Sequence, residues 1–116
     1  MKLLIFAVLI GLFLAACTNN SYSAEIAENG EQIIRIAVIG PEFVPSDITV
    51  QPGKTIKLIV DGSKAYGCMK YFTIPSQKID VELNEGENEF VFTPTASGNI
   101  PFSCRMNMAK GVIRVK

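Results

Sequence analysis

Histidine is absent from all 116 residues. Its absence removes the usual general base, the usual zinc ligand and the side chain best suited to titrate near neutrality. Lysine plus arginine number 11 against 11 for aspartate plus glutamate, and neither sign forms a run. There is then no basic stripe to hold nucleic acid and no charged tail to stay disordered. No Cys-x-x-Cys pair occurs and no helix N-terminus is expected beside a cysteine, which argues against a thiol oxidoreductase. No internal repeat or second domain is visible, and a chain of this length supports one hydrophobic core.

What is present begins with "MKLLIFAVLIGLFLAAC": Lys2, an apolar run over residues 3–14, then small residues before Cys17. That order is the grammar of a signal peptide. The run is shorter than the about 20 apolar residues that span a bilayer, and Leu14-Ala15-Ala16-Cys17 resembles a bacterial lipobox. This resemblance implies that residues 1–16 are removed and that Cys17 carries diacylglycerol on its sulfur. The remainder would then sit on the extracytoplasmic face of a bacterial membrane; an uncleaved single anchor is the alternative. Residues 17–32 are polar without an apolar period and read as a flexible tether with a reach of roughly 20 Å.

From Ile33 onward, short runs of valine, isoleucine and phenylalanine are punctuated by proline and glycine every eight to twelve residues, the pattern of an all-β sandwich. Strands are expected at 33–39, 47–51, 54–60, 71–74, 78–83, 88–92, 99–103 and 111–115. Ile56, Leu58 and Val60 alternate with Lys57, and Phe90 and Phe92 share a face opposite Val91. "QPGK" places Pro52 and Gly53 at the centre of a type II turn, "DGSK" follows the third strand, and "NEGEN" around Gly86 reads as a hairpin loop. Pro41, Pro45 and Pro75 fit strand ends or edges.

The chemistry lies in sulfur. Cys104, Met106 and Met108 occupy alternate positions of "SCRMNMAKG", and Cys68 and Met69 lie in the loop "DGSKAYGCMK". On an extended segment, alternate residues project to one side, so Cys104, Met106 and Met108 are expected to face one pocket. If both loops open at the same end of the sandwich, five sulfurs converge, and soft sulfur donors select Cu(I) over magnesium, calcium or manganese. Two thiolates around one Cu(I) leave a charge of minus one; a second Cu(I) neutralises the cluster, which an apolar pocket favours. Two ions per domain are therefore consistent with the charge count. The bland readings stand beside this one. The methionines cover the end of a core, Met69 is ordinary packing, and Cys68 and Cys104 form the disulfide that a small exported domain often uses, worth about 2–4 kcal/mol. Lys64, Lys70, Arg105 and Lys110 flank the sulfurs and would either lower a thiol pKa or merely be solvated.

The phrases "FVPSDITVQPGKTIKLIV", "FTPTASGNIPFSC" and "GVIRV" resemble a cupredoxin domain across residues 43–116. That implies a cupredoxin-like Greek-key β-sandwich over residues 33–116. Blue-copper members pair the cysteine and an axial methionine with two histidines, which this chain cannot supply. Cys68 together with Cys104-x-Met106-x-Met108 is similar to the membrane-anchored Cu(I) chaperones of the CupA type. This resemblance implies a binuclear Cu(I) cluster in which Cys68 and Cys104 are shared thiolates and Met106 and Met108 hold the more labile ion. Met69 is a further candidate. It also implies a role in copper resistance without catalytic turnover, with transfer to a copper-exporting P-type ATPase. Delivery to a respiratory cuproenzyme, or a structural lipoprotein with a Cys68–Cys104 disulfide, are the competing functions.

Overall fold

Apolar residues alternate along most of the chain, so each strand buries one face, and two such faces must close on each other. The computed structural model describes residues 22–116, in which eleven strands form two packed sheets. In chain order they are β1 Tyr22–Ser23, β2 Glu25–Ile26, β3 Gln32–Ile39, β4 Glu42–Val44, β5 Asp47–Val50, β6 Ile56–Asp61, β7 Tyr71–Ile74, β8 Ile79–Glu82, β9 Glu87–Phe92, β10 Gly98–Cys104 and β11 Lys110–Val115. One sheet runs β1-β5-β11-β10-β7-β8; the other runs β2-β3-β6-β9, with β4 added on β3. The expected all-β sandwich is what forms.

The core lies between the sheets and is organised by Phe72. Its ring centroid is 5.5 Å from Phe43, 5.6 Å from Phe90 and 5.7 Å from Phe102. Ile34, Leu58, Ile74 and Ile113 are fully buried around this cluster. Burying each such side chain contributes about 1.5–3 kcal/mol before conformational entropy is subtracted. Gly111 is required here by contact rather than by backbone conformation, because a Cβ at that position would collide with the ring of Phe102.

Three local expectations change. The described part of the segment read as tether enters the fold: Tyr22 and Ser23 pair in parallel with Ile48 and Thr49, and Glu25 and Ile26 pair with Ile33 and Gln32. Pairing there uses backbone amides at open sheet edges, which leaves no apolar period to read. The strand over residues 42–44 lies between Pro41 and Pro45 and buries Phe43. "NEGEN" is a corner and not a hairpin loop, since β8 and β9 belong to different sheets. Buried Asn88 holds that corner by donating from Nδ2 to the carbonyls of Val60, Asn84 and Gly86 while its Oδ1 accepts from the Asn84 N–H. At the opposite end, buried Gln32 secures "QPGK": Nε2 donates to the carbonyls of Gln51 and Lys54, and Oε1 accepts from the Gln51 N–H. Gly53 there has a φ of 78°, as a type II turn requires.

Candidate metal centre

β10 and β7 are antiparallel with Cys104 opposite Phe72, so Cys104 leaves the sheet just where β7 begins. The preceding residues, Gly67–Lys70, form a 3-10 turn whose entry is eased by Gly67 at a φ of 57°. This turn brings Cys68 against the end of β10. The two Sγ atoms are 3.6 Å apart, both as free thiols, with Cys104 fully buried and Cys68 half-buried. Met69 is also buried, within the hydrophobic core.

The stretch after Cys104 is a turn and not an extended segment. The Asn107 N–H donates to the Cys104 carbonyl at 2.9 Å, the Cys104 N–H donates to the Ala109 carbonyl at 3.0 Å, and Asn107 adopts a φ of 57°. The alternation of Cys104, Met106 and Met108 therefore does not place them on one strand face. Cys104 points into the core, while Met106 and Met108 stand 70% and 75% exposed in the loop beside it. Residues 104–109 must bridge the paired Ser103 and Lys110, and these two hydrogen bonds close the loop.

Closing the loop also aims amides at sulfur. The Ala109 N–H donates to Cys104 Sγ at 3.4 Å. Burial opposes ionisation of Cys104, but the Ala109 N–H, the Cys68 thiol and the N–H groups of Met108 and Met106 outweigh it and lower the thiol's pKa. The Cys68 thiol is pushed up, first by its hydrogen bond to Cys104, then by burial and by the neighbouring charge. Of the two thiols Cys104 is therefore the more readily ionised, and its sulfur also accepts from the Ala109 amide. The cations flanking the site take no part in these shifts. Arg105 is held elsewhere: it pairs with Asp80 at 2.9 Å and lies 4.3 Å over the Tyr71 ring.

Among the described residues no three His, Cys, Asp or Glu side chains cluster so as to hold a metal ion. Hard ions that need several oxygen ligands are poorly served. A soft ion is a different matter. With metal–thiolate bonds of about 2.3 Å, sulfurs 3.6 Å apart subtend roughly 100° at a shared ion, whereas a linear two-thiolate site needs about 4.6 Å between them. The geometry therefore leaves room for further donors, and Met106 and Met108 are the exposed sulfurs of the adjoining loop. Ala109 and Asn107 are the site-shaping residues that sequence reasoning missed. A backbone donor leaves no sequence signal, although an asparagine in a short loop is a known left-handed former. Cys17 and the apolar run before it lie outside the described residues.

A fold with this topology and a cysteine closing the penultimate strand defines a class. The chain belongs to the cupredoxin-like domain family, whose profile matches residues 4–115. It is similar to the metal-binding domain of the Cu(I)-exporting P-type ATPase CopA from Streptococcus pneumoniae D39, solved with Cu(I). The two are 29% identical over 83% of this chain and 95% of that one, with a TM-score of 0.75. A copper-binding protein solved by NMR in the apo form is 27% identical over 83% of this chain and 97% of its own, with a TM-score of 0.74. Auracyanin A, a blue copper protein from Chloroflexus aurantiacus, shares the fold at 17% identity, covering 75% of this chain and 100% of that one, with a TM-score of 0.59. No curated protein matches the sequence.

Proposed function

We propose that this chain is a Cu(I) carrier tethered to the outer face of a bacterial membrane through lipidated Cys17. Cys68 and Cys104 act as its shared thiolates and Met106 and Met108 as its exchangeable ligands. The observation that carries the reading is the 3.6 Å separation of two free thiols beneath a loop bearing two exposed methionines, in a chain without histidine. Thioethers carry no proton and bind a soft monovalent ion at any pH, while thiolates supply the charge. An incoming donor displaces the exposed thioethers first, so copper leaves stepwise without crossing water as a free ion. Similarity to the metal-binding domain of an exporting ATPase favours such an ATPase as acceptor. Two ions make the two-thiolate cluster neutral, which suits its buried side.

Anaerobic titration of the reduced domain, residues 22–116, with Cu(I) against a competing chelator tests this reading. Two equivalents are expected, the first held more tightly. Binding no stronger than that of a simple thiol would refute it. Thiol counting on air-purified protein addresses the disulfide alternative, for which a bridge resistant to mild reductant is the signature.

A further inference from the structure

Arg105 and Asn107 separate the three sulfurs of the loop, and both are fastened to one face of one sheet. Phe102 and Cys104 belong to the core, so Ser103 between them projects from the outer face of β10. Ser103 pairs with Thr73 on β7, and Thr73 pairs with Asp80 on β8, which sets these three side chains in one row across that face. The loop folds down onto the row. Asn107 Oδ1 accepts from the Ser103 hydroxyl at 3.0 Å, and Ser103 is itself in hydrogen-bond contact with Thr73 Oγ1 at 3.2 Å. The Arg105 guanidinium reaches the other end of the row. Its Nη2 and Nε lie 2.9 and 3.3 Å from Asp80 Oδ1, and the group stacks 4.3 Å over the Tyr71 ring. The Arg105 N–H also donates to the Tyr71 carbonyl at 3.2 Å, carrying strand pairing one residue past Cys104.

These anchors alternate with the thioethers. Met106 stands between Arg105 and Asn107. Met108 stands between Asn107 and Ala109, whose carbonyl accepts from the Cys104 N–H and whose own N–H reaches Cys104 Sγ. Each exposed methionine therefore springs from backbone held on both sides. A loose loop would lose backbone freedom when it closed around an ion, whereas this one has already lost it on folding.

On the proposed reading of the site as a thiolate and thioether Cu(I) centre, we infer that Arg105 and Asn107 are positioning residues that preorganise the thioether half. They set the affinity and release rate of the second ion and leave the thiolate-held ion alone. The two pins differ in kind. Arg105 and Asp80 are 51% and 59% exposed, so their attraction is screened by salt. Asn107 acts through a left-handed backbone and a bond to buried Ser103, which salt does not reach.

The test is anaerobic Cu(I) titration of the reduced full chain in detergent against a competing chelator, followed by stopped-flow transfer of the second equivalent to that chelator. Asp80→Asn leaves the loop sequence intact and is expected to weaken the second equivalent about 2- to 5-fold and to speed its release by a similar factor. The first equivalent and the urea midpoint of the copper-free protein are expected to stay at wild-type values, which a merely structural role would move. Asn107→Gly keeps the left-handed backbone, loses the bond to Ser103, and is expected to weaken the second equivalent about 3- to 10-fold. Raising sodium perchlorate to about 0.5 M is expected to speed release from wild type and from Asn107→Gly but not from Asp80→Asn. A variant that leaves the second equivalent unaltered overturns the inference for its residue. Weakening of both equivalents alike overturns it as a whole, as does a salt effect that persists in Asp80→Asn. Wild-type protein that takes up no second equivalent overturns the ligand role of Met106 and Met108 in the proposed function, and the inference falls with it.

Discussion

The Ser103 hydroxyl donates to Asn107 Oδ1 at 3.0 Å, and Asn107 is the left-handed residue between the two methionines. Ser103 is itself buried and in hydrogen-bond contact with Thr73 Oγ1 at 3.2 Å, so the loop is fastened to the sheet by a side-chain chain of three residues. Asn107→Gly keeps the backbone conformation and loses only this bond, whereas Asn107→Val forces a β-branched residue into the left-handed region. The valine variant is expected to lose about 1–2 kcal/mol of stability in urea unfolding and the glycine variant distinctly less. Equal losses would show that the hydrogen bond, and not the conformation, holds the loop.

Met106 and Met108 are largely exposed, so little of either side chain is packed. Replacing both with leucine is expected to change stability by about 0.5 kcal/mol or less, the usual effect of surface substitution. In Cu(I) titration the same variant should weaken the second equivalent and spare the first. Loss of both equivalents alike would contradict the separation of roles between thiolates and thioethers.

Copper uptake should depend on pH in two stages, because each thiol must lose its proton to bind. Below the lowered ionisation of Cys104, binding displaces protons from both thiols and affinity climbs steeply with pH. Between Cys104 and the raised Cys68, only one proton remains to be displaced and the climb halves; above Cys68 it stops. Competition titrations across a pH series would read these slopes. Cys68→Ser is expected to remove the upper stage, and its persistence would reassign the raised thiol.

Gly111 sits beneath the Phe102 ring with no room for a Cβ. Gly111→Ala is expected to cost about 1–3 kcal/mol by overpacking, visible as a lower unfolding midpoint. The cost should shrink in a Phe102→Leu background, since the two sites share one contact. An undiminished cost would place the effect in the backbone.

Strands with strong alternation were legible from sequence to within a residue or two. Residues 33–39 are observed as Gln32–Ile39 and residues 99–103 as Gly98–Cys104. What was not legible had no local pattern. Residues 22–26 gain order from sheet edges supplied by residues 32–33 and 48–49, and their polar composition says nothing about it. Asn88 ties its corner to Val60, 28 residues away, and so turns an apparent hairpin into a crossing between sheets. The sulfurs were identifiable by type, yet their expected alignment on one extended face failed because hydrogen bonds at Asn107 and Ala109 curl the loop.

The sequence by itself determined the donor set: without histidine, any metal site must be built from thiols and thioethers or from oxygen. It also determined that the core is made of strands, since a two-residue period is a local property. Tertiary structure decided that Cys68 and Cys104, 36 residues apart, meet at 3.6 Å with amides turned toward one sulfur. The physical reason is that register and strand direction are set by pairing between distant segments, which no local periodicity encodes.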